Sequence, residues 1–294
     1  MGLYQSVKRV VPNEWKVRVR SLRTLPKDIA VRVWSRFRGG IPLPPKELIY
    51  FVTAHRSAST FLRSGHLASK TIRQTLEKHG LEIERLNAVL DFGCGVGRIM
   101  RHWNLLQGPV LHGTDYNSRL VEWCQDNLKF AEFQVNTLSH RLRYEPETFD
   151  FIYAASVFTH LSEPLQFYWL DELSRVLKPG GHLYFTTHGD YFFPHLRVEE
   201  KEKLLNGQLV VRETEQSGSN RCAAFHPATY VRENMTRNFF LVDFIPGSAK
   251  RGFLQDIYLF KKPAGASGAI ESGHDRADFG HTSTVNPITN YPAG

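Results

Sequence analysis

Cysteine is scarce in this sequence: three in 294 residues, Cys94, Cys124 and Cys222, an odd number with no metal-ligand spacing. That excludes a disulfide-built scaffold and fits a reducing compartment. Long apolar runs are missing as well, none approaching the roughly 18 residues that span a bilayer. Residues 1–40 also lack the apolar core of a secretory signal, so a cytoplasmic location is expected. No carboxylate or histidine pair stands at ligand spacing on a recognisable helix or loop, so no metal is expected. Acidic residues are nearly absent from one end only: residues 1–40 hold ten lysines and arginines against Glu14 and Asp28, while the remainder carries 27 basic and 27 acidic groups. The net charge of +8 is therefore the charge of that segment. A groove following a phosphate backbone needs basic residues interleaved with aromatics on the folded body itself, and no nucleic-acid partner is expected.

Residues 1–45 read as a basic N-terminal segment. Within it, Pro26 to Arg38 on a helical wheel puts Ile29, Ala30, Val33, Trp34 and Phe37 on one face and Lys27, Asp28, Arg32, Ser35 and Arg36 on the other. Such a helix suits peripheral contact, through residues 1–40, with an anionic inner-membrane surface, or equally packing on a protein. Ile41-Pro42-Leu43-Pro44-Pro45 is a stiff connector. Helices are expected from Glu47 to Gly80, including one over Leu67 to His79 that buries Ile72 and Leu76 and stops at Gly80. The stretch 263–294, rich in Gly, Ala, Ser, Thr, Asn and Pro, reads as a disordered tail.

The most informative run is Val89-Leu90-Asp91-Phe92-Gly93-Cys94-Gly95-Val96-Gly97-Arg98: a strand, an acid and a Gly-x-Gly-x-Gly turn, with a helix start expected over Ile99 to Trp103. Glycines there allow close backbone approach to a ligand and unusual φ values. The dinucleotide fingerprint requires Gly or Ala at the last position of Gly-x-Gly-x-x-Gly, and Arg98 or Met100 stands there instead. A nicotinamide oxidoreductase is thereby disfavoured. A carboxylate just before the loop suits a ligand with an ammonium group and no pyrophosphate, such as S-adenosylmethionine.

These residues resemble the first motif of the class I S-adenosylmethionine-dependent methyltransferases, and the family's later pieces follow in order. Val110 to Asp115 is a second strand ending in an acid 24 positions after Asp91. Ala131 to Asn136 is a third strand and Phe149 to Ala154 a fourth. Arg175 to Thr187 is a helix end, a Pro-Gly-Gly turn and a fifth strand. The resemblance covers about residues 88 to 188 and implies an α/β fold: a doubly wound, Rossmann-like, seven-stranded sheet, mostly parallel with an antiparallel last strand, and helices on both faces. The methyltransferase domain is expected over 46–262, with an insert or lid over about 189–237.

The family pattern implies S-adenosylmethionine as cofactor. Asp91, Gly93, Cys94, Gly95 and Gly97 would border its methionine and ribose parts, Asp115 with Tyr116 the ribose, Asn136 the adenine amino group, and Ser156 the floor under the methionine. Asp150, at the far end of its strand, reads as structural. For a hydroxyl acceptor a base is required. His188, directly after the fifth strand and beside Asp190, is the leading candidate, with His160 second and Asp190 alongside. His226 reads as structural. The expected acceptor is a small-molecule or glycan hydroxyl. The alternatives are a non-catalytic S-adenosylmethionine-fold interaction protein and methylation of an amine or protein. No Asn-Pro-Pro-Tyr type motif follows the fourth strand, which counts against amino-group chemistry of the kind carried by that motif.

Overall fold

The computed structural model describes residues 28–29, 40–247 and 254–264. The amphipathic helix expected over 26–38 falls outside them except for Asp28 and Ile29, as does the tail from 265 onward.

Strands with alternating large apolar residues assemble a seven-stranded sheet. They are β1 (Ala88–Phe92), β2 (Val110–Asp115), β3 (Glu132–Val135), β4 (Phe149–Ala154), β5 (Leu177–Thr187), β8 (Phe240–Ile245) and β9 (Asp256–Lys261). Their order across the sheet is β3-β2-β1-β4-β5-β9-β8. The first five run parallel. β9 lies antiparallel between β5 and β8. Chain direction across the sheet reverses between β1 and β4, and ligands in open α/β sheets bind at the carboxyl ends of strands where the order reverses.

Alternate residues point to opposite faces of a strand, so each strand supplies two cores. Leu90, Ile152, Ala154, Leu183, Phe185, Tyr258 and Phe260 form one. Val89, Phe151, Tyr153, Tyr184, Ile257 and Leu259 form the other. Helix α4 (Glu163–Val176) covers the first face with Trp169, Leu170, Leu173 and Val176. Helices α2 (Ala58–Lys78) and α3 (Ser118–Asn127) cover the second with Ala68, Ile72, Leu76, Val121 and Cys124. Full burial of one such large side chain contributes about 1.5–3 kcal/mol.

Three local expectations need correction. The helix expected over Leu67 to His79 begins nine residues earlier, at Ala58, because Ser57 caps it: its hydroxyl accepts from the Thr60 N–H at 3.1 Å. Asp28 adds to this end by accepting from the Ser59 N–H at 2.9 Å. The helix start expected after the glycine loop is instead a string of turns ending in a 3-10 turn, Met100–Trp103. Gly93, Gly95 and Gly97 all have positive φ, which an α-helix does not admit. The Pro-Gly-Gly turn lies inside β5. Pairing with β4 jumps from Phe149–Leu177 to Phe151–His182, so Lys178 to Gly181 bulge out of register.

Asp150 has the structural place expected of it. Its carboxylate accepts from the N–H groups of Asn87 and Ala88 and from Lys178 Nζ, each at 2.8 Å, joining β1, β4 and β5 at their amino ends.

Between β5 and β8 the chain has structure of its own. A 3-10 turn (Asp190–His195) leads to helix α5 (Val198–Leu205), the antiparallel pair β6 (Val210–Arg212) and β7 (Ala223–Phe225), and helix α6 (Ala228–Asn234). His188, at the end of β5, bridges to Phe225 of β7, so this small sheet lies against the edge where β5 ends.

Candidate active site

A cavity of about 640 Å³ opens at the carboxyl ends of β1, β2, β3 and β4. Asp91, Gly93, Cys94, Gly95, Asp115, Tyr116, Asn136, Ser156 and His160 all line it. Gly97 does not. A Cβ there would stand 2.3 Å from Leu128 Cδ1, so Gly97 lets the loop pack against the end of α3 rather than meet a ligand. The other two glycines serve the cavity wall: a Cβ on Gly93 would strike Val157 Cγ2 at 2.4 Å, and one on Gly95 would strike Val52 Cγ2 at 2.7 Å. From outside, α2 presses on the same loop through Gly65, where a Cβ would lie 2.0 Å from the Arg98 carbonyl oxygen. The loop is thus clamped on both sides.

Cys94 fits this packing as a small residue. Its thiol approaches the Gly95 carbonyl at 3.6 Å, as does that of Cys124 at 3.4 Å. Contact with Cys124 and then burial push the Cys94 thiol well above its ordinary pKa, so it stays protonated and unreactive.

Asp115 holds the loop by accepting from the Gly95 N–H with one oxygen and the Asn117 N–H with the other, both at 2.9 Å. The helix cap of α3 is Asn117, not Asp115, and each Asp115 oxygen has a second lone pair that these bonds do not use. Asn136 follows β3, donates through Nδ2 to the Thr137 carbonyl at 2.8 Å, and leaves Oδ1 buried without a partner. That orphan acceptor suits an adenine amino group. Ser156, under the cavity, adopts φ +63°. Its N–H donates to Thr186 Oγ1, and the hydroxyls of Ser156 and Thr186 both donate to Gln255 Oε1, at 2.8 and 2.6 Å. Thr186 and Gln255, which give this floor its shape, carried no motif that sequence reasoning could find.

Asp91 is buried at the end of β1 beside the Tyr153 hydroxyl, which has no partner at normal hydrogen-bond geometry. Burial pushes this carboxyl up to about 7, despite the nearby Arg98 guanidinium. A cofactor ammonium needs the ionised form. With Asp91 facing that ammonium, we predict that affinity for S-adenosylmethionine weakens as pH falls below about 7. Calorimetric titration from pH 5 to 8 checks this: Asp91→Asn flattens the profile, whereas a flat profile in the unaltered protein contradicts the assignment.

The catalytic candidates separate. His160 ends a 3-10 turn (Phe158–His160) directly after β4 and lines the cavity. Its Nδ1–H donates to the Cys222 carbonyl at 2.8 Å. A carbonyl only accepts, so Nδ1 carries the proton and Nε2 the free lone pair. Burial lowers the His160 pKa, keeping the ring neutral at pH 7. His188, the leading candidate from sequence, is outside the cavity lining. Its ring packs 4.3 Å from Phe192 and 5.4 Å from Phe225, centroid to centroid, and burial drives its pKa down to about 4. The His188–Phe225 bridge brings the β6–β7 sheet against it, a contact between distant segments that β5's position did not announce, and its ring centroid lies 6.2 Å from that of His160. Asp190 is exposed and likewise outside the lining. His226 is fully buried with Nε2 against Gln166 Oε1 at 2.9 Å, a structural residue as expected.

The rest of the wall comes from two places. Tyr50, Phe51, Val52 and Ala54 belong to the end of helix α1 (Lys46–Thr53) and its C-cap. Gln216, Gly218, Ser219, Asn220 and Arg221 belong to the loop between β6 and β7. Asn220 Nδ2 donates to the Phe51 carbonyl at 2.6 Å, joining the two across the cavity. The loop is further fixed by the Gly218 N–H to the His160 carbonyl at 2.7 Å.

Residues 90–185 match the methyltransferase domain family, and the sheet order around that stretch fits a class I S-adenosylmethionine-dependent methyltransferase domain. S-adenosylmethionine is its cofactor. In detail the chain is similar to the ubiquinone biosynthesis O-methyltransferase of Vibrio atlanticus, 26% identical over 122 residues, 40% of this chain and 50% of that protein. It is also similar to a human tRNA N(3)-cytidine methyltransferase, 23% identical over 198 residues, 64% of this chain and 61% of the other. The chain spans about half the length of the ubiquinone-pathway relatives it matches. Among solved structures, the Burkholderia thailandensis 1,6-didemethyltoxoflavin-N1-methyltransferase with bound 1,6-didemethyltoxoflavin and S-adenosylhomocysteine shares the fold. It has TM-score 0.51 and 16% identity, covering 81% of this chain and 90% of that one. Among the described residues no helix is long and apolar enough to cross a membrane.

Proposed function

We propose that this protein transfers a methyl group from S-adenosylmethionine to a hydroxyl of a small-molecule or glycan acceptor, with His160 as the base. The observation that carries this reading is the oriented, neutral His160 in the cavity wall. The similarity to O-methyltransferases favours an oxygen acceptor. Asp91 would face the cofactor ammonium, the free lone pairs of Asp115 the ribose hydroxyls, and Asn136 Oδ1 the adenine amino group.

When bound, S-adenosylmethionine supplies an electrophilic methyl on a sulfonium that leaves readily as a thioether. What remains for the protein is to hold the acceptor oxygen about 3 Å from that methyl and remove its proton. His160 Nε2 takes the proton as the oxygen–carbon bond forms, while the Cys222 carbonyl steadies the ring through Nδ1. Loop 216–221 and the end of α1 exclude water around the reacting groups.

The test is incubation with methyl-labelled S-adenosylmethionine and three acceptor sets: hydroxylated metabolites and sugars, amines, and tRNA. Label on oxygen in the first set supports the reading. Label confined to amines or RNA overturns it. Cofactor binding with no transfer to any set, or to extracts of the source organism, points to the non-catalytic interaction protein.

A further inference from the structure

The two halves of the cavity differ in charge. The carboxylates in its lining are Asp91 and Asp115, both at the cofactor end. The proposed acceptor end is lined instead by Phe51, Trp169, His160, Asn220 and Arg221 and, among the described residues, by no acid. Arg221 is already paired with Glu213 at 3.2 Å. At the mouth, Tyr50, Phe51 and Tyr116 are 39%, 44% and 40% exposed, an aromatic rim that a soluble surface does not ordinarily leave bare. Two guanidinium groups stand over that rim: Arg56 at 5.5 Å from the Tyr50 ring centre and Arg119 at 5.9 Å from that of Phe51. Among the described residues neither has a carboxylate partner. A guanidinium lying over an aromatic ring still turns its N–H edge outward, and that edge matches a carboxylate or phosphate.

We infer that the acceptor is an amphipathic hydroxyl compound bearing an anionic oxygen group. Its flat apolar part rests on Tyr50 and Phe51, its carboxylate or phosphate meets Arg119 and Arg56, and its hydroxyl is turned toward His160. A cationic amine would meet Arg56 and Arg119 at the mouth and, among the described residues, no acid at the acceptor end. This inference rests on the hydroxyl-transfer reading.

The test measures binding to the full-length protein saturated with S-adenosylhomocysteine, so that it does not depend on turnover. Four ring compounds serve as probes: 4-methylcatechol, 3,4-dihydroxyphenylacetate, 3-hydroxyphenyl phosphate and dopamine. At least one anionic member is expected to bind about tenfold or more tightly than 4-methylcatechol, and dopamine more weakly. The better anion tells carboxylate from phosphate. In the double variant Arg56→Ser, Arg119→Ser that gap closes to within about twofold, while S-adenosylhomocysteine binds as before. Raising salt from 0.05 to 0.5 M narrows the gap in the unaltered protein only. Equal binding of neutral and anionic members, binding of none, or a gap surviving in the double variant overturns the inference. Tight anion binding in a protein that transfers no methyl group overturns the transfer reading and leaves the charge preference standing.

Discussion

Replacing His160 by alanine is expected to slow methyl transfer by roughly 10²–10⁴-fold, the usual contribution of a positioned general base. Binding of S-adenosylhomocysteine should change by less than about twofold, since the cofactor contacts assigned above lie on β1, β2, β3 and the floor loop. The pH profile provides a second readout. Because burial lowers the His160 pKa, the ring stays unprotonated to a more acid pH than a free imidazole. Activity should therefore persist below pH 6.5 under saturating cofactor before falling. His188→Ala is the contrasting variant: it thins the packing between Phe192 and Phe225 and is expected to cost stability with at most a few-fold loss in rate. Single-turnover measurements of both variants decide the matter. Equal rates in His160→Ala and the unaltered protein would remove the base from this residue.

Asp115→Ala is expected to weaken S-adenosylmethionine binding by at least about 10²-fold. The carboxylate makes two backbone hydrogen bonds, to the Gly95 and Asn117 N–H groups, and hydrogen bonds to a charged group contribute about 1.5–3 kcal/mol each. Alanine leaves both donors unpaired, releases the glycine loop from the start of α3, and removes the acceptors for the ribose. Asparagine in this place would be little better, because its amide has one accepting oxygen for two N–H donors and turns an NH₂ group toward the second. Asp115→Asn should therefore resemble Asp115→Ala in calorimetric affinity, although it keeps the shape of the side chain. An asparagine variant that binds within about threefold of the unaltered protein would show that the paired backbone contacts do not set the loop.

The parts of the molecule legible in the sequence were those fixed by local pattern. Alternating apolar runs gave the strands of both sheet faces. Asp91 and Asp115, at strand ends 24 positions apart, were brought to one cavity because parallel strands with a crossover put their carboxyl ends together. Asn136 and Ser156 followed from the same geometry. Features created by packing between distant segments could not be read in this way. That His188 lies outside the cavity lining could not be read because β6 and β7 come against the end of β5 from far along the chain, nor that Gly97 does, because its obstacle, Leu128, lies 31 positions further on. The Val52 and Val157 side chains that demand Gly95 and Gly93 were equally hidden, so the reason for those glycines had to come from the structure. Tyr50, Phe51 and Asn220 carry no motif and become part of the site only through the 2.6 Å contact between α1 and the β6–β7 loop.

That loop has a further consequence through the Cys222 carbonyl. The segment that walls the acceptor side also fixes the proton on His160 Nδ1, so displacement of the loop to admit or release a compound frees the ring to take the other tautomer or turn away. With His160 as the proposed base, loop position and ring orientation are thereby tied through one backbone oxygen.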